Sequence, residues 1–180
     1  ELVDALENGK DLHKIDSVGF RDKGKVVITG RGRIVKDLDS LPFPARHLLP
    51  NERYYEFITQ RRNFTIMMTA RGCPFICTFC EQGRSGFRYR SAKNVVDEFE
   101  ECYNKYNIRE IDIFDPTFNI NRKRVFEICK ELQNRKLDIK FAIRSRADTI
   151  DKAMAVELKK AGCDRIYFGL ESGNQNILNT

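Results

Sequence analysis

The chain has 180 residues, 41% apolar and 32% charged, with 32 Lys and Arg against 26 Asp and Glu for a net charge of +6. That is enough for one ordinary domain with a real core plus an extension. No apolar run approaches the roughly 20 residues that span a bilayer, and no basic start followed by an apolar stretch marks a secretory leader, so the expected compartment is the cytoplasm. The positive residues are scattered, with concentrations at 21–25, 84–90 and 122–124 that read as solvated surface. Nucleic acid is therefore not an expected partner.

In chain order, residues 1–12 predict a short amphipathic helix with Leu2, Val3 and Leu6 on its apolar side. Residues 17–20 and 26–29 flank Asp22-Lys23-Gly24, a hairpin turn. Three prolines, Pro42, Pro44 and Pro50, rule out regular helix or central strand and predict an extended connector. From residue 64 the pattern becomes regular. Residues 64–69 form a short apolar run of strand length. Ser91 can cap a helix whose stripe is Val95, Val96, Phe99, Cys102, Tyr103 and Tyr106. A second strand follows at 108–114, then a helix capped by Asn121 that buries Val125, Ile128, Cys129 and Leu132. Ile139, Phe141 and Ile143 alternate as a third strand, and a helix from about Asp151 stops at Ala161-Gly162. Residues 165–170 give a fourth strand and Asn174 starts a fourth helix. Strand–helix repetition of this kind predicts an α/β fold with a parallel sheet. Four units occupy the last stretch of chain, whereas a full eightfold barrel takes about 250 residues, so the expectation is a partial TIM-like (β/α) barrel preceded by an N-terminal extension.

In such folds ligands gather at the carboxyl ends of the strands, and the unusual polar residues fall there. Cys73, Cys77 and Cys80 follow the first strand, Asp115 ends the second, Arg144 and Arg146 the third, and Glu171 the fourth. Alternation puts Ala142, Arg144 and Arg146 opposite Ile139, Phe141 and Ile143, and Tyr167, Gly169 and Glu171 opposite Ile166, Phe168 and Leu170. If the apolar faces meet the helices, both polar sets point into the barrel. Three of the six cysteines crowd into C-x3-C-x2-C spacing, with no secretory context, which reads as a metal site in a reducing compartment. Soft thiolates select an iron–sulfur cluster or zinc. Three ligands leave one iron open, as a reactive cluster needs; the zinc alternative is a Cys3His site completed by His13 or His47. Cys102, Cys129 and Cys163 lie singly on or beside apolar faces and read as small buried hydrophobes, with Met67 and Met68 as core and edge filler. Two readings stay open for the other strand-end groups. Asp115 either binds a ligand or caps the turn before Pro116; Arg146 and Glu171 either bind a ligand or form a buried ion pair.

The segment Arg71-Gly-Cys-Pro-Phe-Ile-Cys-Thr-Phe-Cys80, aromatic just before its last cysteine, resembles the signature of the radical S-adenosylmethionine (SAM) superfamily. The resemblance extends to the branch with an upstream cobalamin-binding domain. It is carried by Leu38-Asp-Ser-Leu-Pro-Phe-Pro-Ala-Arg46, Arg88-Tyr-Arg-Ser91, Phe114-Asp-Pro-Thr-Phe118, Arg146-Ala-Asp148, Ala161-Gly-Cys163 and Gly169-Leu-Glu-Ser-Gly173. Ala70 departs from a common serine, and Pro116 from a common second acidic residue. Asp11-x-His13 begins like the cobalamin motif Asp-x-His-x-x-Gly, but Asp16 stands where the glycine should be, so it reads as a surface histidine.

The resemblance implies a [4Fe-4S] cluster on Cys73, Cys77 and Cys80 whose open iron chelates SAM, and reductive cleavage to a 5′-deoxyadenosyl radical. It implies that Phe79 packs near the adenine, that Asp115 holds the SAM amino group, and that Arg146 and Glu171 contact ribose or carboxylate. It makes residues 1–60 the end of an upstream domain, cobalamin-binding in this branch, plus a Pro-rich linker, and residues 61–180 the N-terminal part of the core barrel. Cobalamin is then expected in the full-length protein and not on this segment. The implied partners are a small organic substrate, methylated, cyclised or rearranged, and a reductant such as flavodoxin or ferredoxin. The alternatives are a radical SAM enzyme acting on RNA and a non-catalytic zinc or iron–sulfur module.

Overall fold

The computed structural model describes residues 1–32, 34–84 and 86–179. It divides into two compact units, Glu1–Lys36 and Asp37–Thr180. In the first, α1 (Leu2–Glu7) is half the expected length because Asn8 and Gly9 end it, and Leu12–Lys14 adds a 3-10 turn. Ala5 is its buried residue, while Leu2, Val3 and Leu6 are exposed, so the expected apolar side is not the buried one. The expected hairpin is present as β1 (Gly19–Asp22) and β2 (Lys25–Ile28), antiparallel, turning through positive φ at Lys23 and Gly24. That double positive φ suits the right-handed twist of the two strands.

The second unit opens with the connector. It is not simply extended: 3-10 turns form at Leu38–Ser40, Arg46–Leu48 and Asn51–Arg53, within what the prolines' fixed φ allows. Arg46 anchors it. This side chain is 2% exposed, lies 2.6 Å from the Glu98 carboxylate and donates to Ile66 O at 3.1 Å. Asn51 donates to Arg46 O at 2.6 Å, and Asp39 accepts from the Ser91 amide at 2.9 Å.

The elements that follow are β3 (Phe64–Met67), β4 (Ala70–Arg71), β5 (Arg88–Tyr89), α2 (Ala92–Tyr106), β6 (Glu110–Ile113), α3 (Arg122–Arg135), β7 (Lys140–Arg146), α4 (Lys152–Lys160), β8 (Cys163–Gly169) and α5 (Gln175–Leu178). Strands β3-β6-β7-β8 make one parallel sheet in that order, the α/β arrangement expected. The caps are the anticipated residues. Ser91, Asn121, Asp151 and Asn174 each accept a backbone N–H of the first helical turn, satisfying donors the helix cannot.

Packing explains why the sheet has two unlike faces. Val95, Val96, Phe99 and Cys102 of α2, Val125, Ile128, Cys129 and Leu132 of α3, and Met154 and Leu158 of α4 share one core with Met67, Ile111, Ile113, Phe141, Ile143 and Cys163 of the strands. The opposite face carries charge. Asp112 takes a two-pronged bond from Arg144, at 2.6 and 3.0 Å, and Glu110 takes Arg165 at 2.6 Å as well as the amides of Gln60 and Arg61. Ile66, Met68 and Phe114 are exposed there. Helices thus cover one face of the sheet, and ion pairs line the other. Among the described residues no helix is long and apolar enough to cross a membrane.

Candidate functional site

The carboxyl end of β3 leads into the cysteine segment, and a short ladder closes its neck. Ala70 pairs with Tyr89 and Arg71 with Arg88, antiparallel, so the cysteine segment is tied at its root. Sequence periodicity cannot find a ladder two residues long. Gly72 turns the chain with φ +74, a conformation that L side chains resist. Gly83 is needed for closeness: a Cβ there would lie 2.0 Å from Phe75 O, so the outgoing and returning limbs touch. Within the loop the Cys73 amide donates to Gln82 O at 3.3 Å and the Cys80 amide to Cys77 O at 3.0 Å. Cys73 is buried, its Sγ 3.9 Å from Thr117 Oγ1, while Cys77 and Cys80 are half-buried. Phe79 is 69% exposed.

The third strand end reaches this loop. Arg146 Nη1 lies 3.6 Å from Cys77 Sγ, and its guanidinium stacks over the Phe75 ring at 4.1 Å. Its carboxylate partner is Asp148, at 2.9 and 2.8 Å, and not Glu171, so the buried Arg146–Glu171 pair is not formed. A buried network holds this turn: Ser145 donates to Asn119 at 2.9 Å, and Asn119 donates to Thr149 O at 2.8 Å. Glu171 sits past β8 at φ +57, exposed, with Oε1 folded back to 2.5 Å from where a Gly169 Cβ would be. A non-glycine residue at such φ is a local strain of the kind found at ligand sites. Arg144 is committed to Asp112 and stacks on Phe114 at 3.6 Å.

Asp115 is bonded within the chain. It is 0% exposed, and its oxygens accept the Thr69 amide at 2.6 Å, the Ala70 amide at 2.9 Å and the Thr69 hydroxyl. Three of the four lone-pair positions of the carboxylate are thus taken within the chain. Burial pushes its carboxyl above the ordinary carboxylate range despite those bonds and the nearby Arg124 charge. Arg124, within a basic run that reads as surface, is 3% exposed, and burial pulls it down to about 10. Its signal was positional: it lies one turn before Ile128 on the apolar stripe of α3. Arg90, from another such run, is also buried, bonded to Glu98 and to Met68 O.

The donor set suits an iron–sulfur cluster: three free thiols on one tied loop at a strand end. Among the described residues no group of three or more Cys, His, Asp or Glu is gathered as for a metal ion. His13 packs edge-on against Phe20 and faces Asp22 at 3.5 Å.

Residues 67–180 match the family model of the Radical SAM superfamily. The chain is 35% identical over 181 residues to an uncharacterized methyltransferase of Pyrococcus horikoshii, covering 99% of this chain and 39% of that protein. It is 31% identical over 182 residues to the anaerobic magnesium-protoporphyrin IX monomethyl ester cyclase of Rubrivivax gelatinosus, covering 97% and 32%. The chain thus spans only about a third of these relatives' length. Among solved structures, the cobalamin-dependent S-adenosylmethionine radical enzyme OxsB superposes with a TM-score of 0.72 at 26% identity, covering 99% of this chain and 27% of that one. The radical S-adenosylmethionine methyltransferase TsrM of Kitasatospora setae, solved with cobalamin and a [4Fe-4S] cluster, gives a TM-score of 0.72 at 16% identity over 98% and 36%, a likeness of fold alone.

Proposed function

The chain belongs to the radical SAM superfamily, and from that premise we propose that Cys73, Cys77 and Cys80 ligate a [4Fe-4S] cluster that binds SAM at its open iron. When bound, such a cluster supplies one electron to the SAM sulfonium, releasing methionine and a 5′-deoxyadenosyl radical. The observation that carries the reading is the tied loop at the end of β3, with three free thiols and the Arg146 guanidinium beside Cys77. The chain's own task is to hold and orient. Arg146, fixed by Asp148 and the Phe75 ring, keeps positive charge beside the thiolates and faces the SAM carboxylate. Glu171 offers its carboxylate to the ribose hydroxyls, and Phe79 covers the adenine.

In the full-length protein we assign residues 1–60 to the end of an upstream domain and its connector, and residues 61–180 to the first part of the catalytic barrel. The names of the relatives, methyltransferases and cyclases, support cobalamin-assisted methylation or cyclisation of a small organic substrate. A reductant such as flavodoxin or ferredoxin and a cytoplasmic setting complete the proposal. Calorimetry of SAM on the anaerobically reconstituted full-length protein tests the site. Glu171→Ala should weaken SAM binding about tenfold, the loss of one charge-assisted hydrogen bond, with iron content unchanged. Unchanged affinity with a lowered melting temperature would reduce Glu171 to a structural residue.

A further inference from the structure

The cysteine loop leaves the sheet at Thr69 and Ala70 and returns at Tyr89 and Arg90, and buried charged side chains from later elements grip both ends. Thr69 lies between β3 and β4, where neither ladder serves its amide, and a buried amide must find an acceptor elsewhere. Asp115, just past β6, is that acceptor: it takes the Thr69 and Ala70 amides and the Thr69 hydroxyl. All three partners donate to its two oxygens. Arg124 on α3 holds the carbonyl side, donating from Nη2 to Thr69 O at 3.0 Å and from Nε to Arg90 O at 2.7 Å. It thereby joins the outgoing and returning strands, which also meet through the Arg90 amide on Thr69 O at 2.9 Å. The Tyr89 and Phe118 rings flank its guanidinium at 5.3 and 5.8 Å.

We propose that Asp115 and Arg124 brace the root of the cysteine loop, which makes Asp115 a positioning residue for the three thiols and not a contact of SAM. The inference rests on the cluster reading given above. Its logic is preorganisation: a long loop with fixed ends leaves fewer arrangements to be lost when three thiolates close on one body. The brace comes from the second β/α unit and the loop from the first, so packing of successive units sets the ligand geometry.

Hydrogen exchange on the full-length apoprotein, paired with iron retention after reconstitution, tests this. In Asp115→Asn, amides of residues 69–90 should exchange about tenfold faster, the effect of replacing a buried carboxylate acceptor by a neutral amide whose NH2 cannot accept, while α2, α3 and α4 keep their protection. Iron loss to a chelator should accelerate about as much, and the fraction still loaded should bind SAM with unchanged affinity. Normal loop protection and iron retention with weakened SAM binding would overturn the proposal in favour of a cofactor ligand. Faster exchange throughout the fold would overturn it in favour of general stability. Thr69→Val removes only the hydroxyl donor and should repeat the pattern more weakly; it serves if Asp115→Asn does not fold. A wild-type protein that takes up no cluster refutes the cluster reading by itself, and the exchange comparison still decides the brace.

Discussion

The six free cysteines fall into two trios. Cys102, Cys129 and Cys163 lie in the core between helices and sheet, at 0%, 1% and 5% exposure, where burial pushes each thiol up to about 12. Cys73, Cys77 and Cys80 sit on a tied loop at a strand end, Cys73 buried, the other two half-buried and Cys77 beside a guanidinium. In the first trio the sulfur serves as a small apolar group whose proton is held by lack of water. In the second the loop presents sulfur to whatever stands at the barrel mouth. Composition counts six alike; neighbourhood makes two kinds.

The largest expected effect separates the trios outright. Anaerobic reconstitution should give about four irons per chain. Cys77→Ala should abolish this and Cys102→Ala should leave it intact, as read by iron and sulfide analysis and the brown absorbance. Equal loss in both would end the distinction. Next comes reactivity. In the native apoprotein at pH 8, alkylation should reach Cys77 and Cys80 first, then Cys73. The core trio should react at least about a thousandfold more slowly, because only the thiolate attacks. Peptide mapping with and without denaturant reads this, and a core cysteine labelled early in the native state would break the comparison.

How legible all this was depends on range. Period and caps sufficed for α2, α3, α4 and the parallel strands, because those signals are local: Ser91, Asn121 and Asp151 announce their helices within one turn. The cysteine spacing is local too. What sequence could not supply were partners distant along the chain. Asp112 and Arg144 belong to neighbouring strands and meet only once register is fixed, and Asp115 finds Thr69 across a sequence separation of 46. Arg46, Arg90 and Arg124 have a surface residue's composition and a core residue's burial. Arg46 and Arg124 are held by carbonyls and a carboxylate that no window around them contains, and Arg90 by Met68 O as well as by Asn94 and Glu98 nearby. The positive φ of Glu171 has no sequence mark, since the residue is not glycine.

A smaller effect sharpens the contrast through stability alone. Cys129→Ser puts a hydroxyl in an apolar pocket, at a cost of about 1–3 kcal/mol. Cys80→Ser, on the half-buried loop, should stay within about 0.5 kcal/mol in the apoprotein. Denaturant melts of the two variants against the parent measure both values, and equal costs would erase the difference in environment.

The last effect is a slope. In the folded chain Cys102 keeps its proton to about 12, against an ordinary value of 9.0. Between those two pH values the unfolded chain has released a proton that the folded chain still binds, so stability falls as pH rises through that window. The fall due to Cys102 is at most about 1.4 kcal/mol per pH unit. Below pH 9 the residue contributes no slope, because both states are protonated. Cys102→Ala removes this contribution and leaves the lysines and tyrosines that also titrate there. The difference in unfolding free energy between parent and variant should therefore be flat from pH 7 to about 9 and then move steadily in the variant's favour. Urea melts at closely spaced pH values would record it. Curves that stay parallel to pH 11 would mean that the core does not hold the Cys102 proton, and that the two trios differ in access alone.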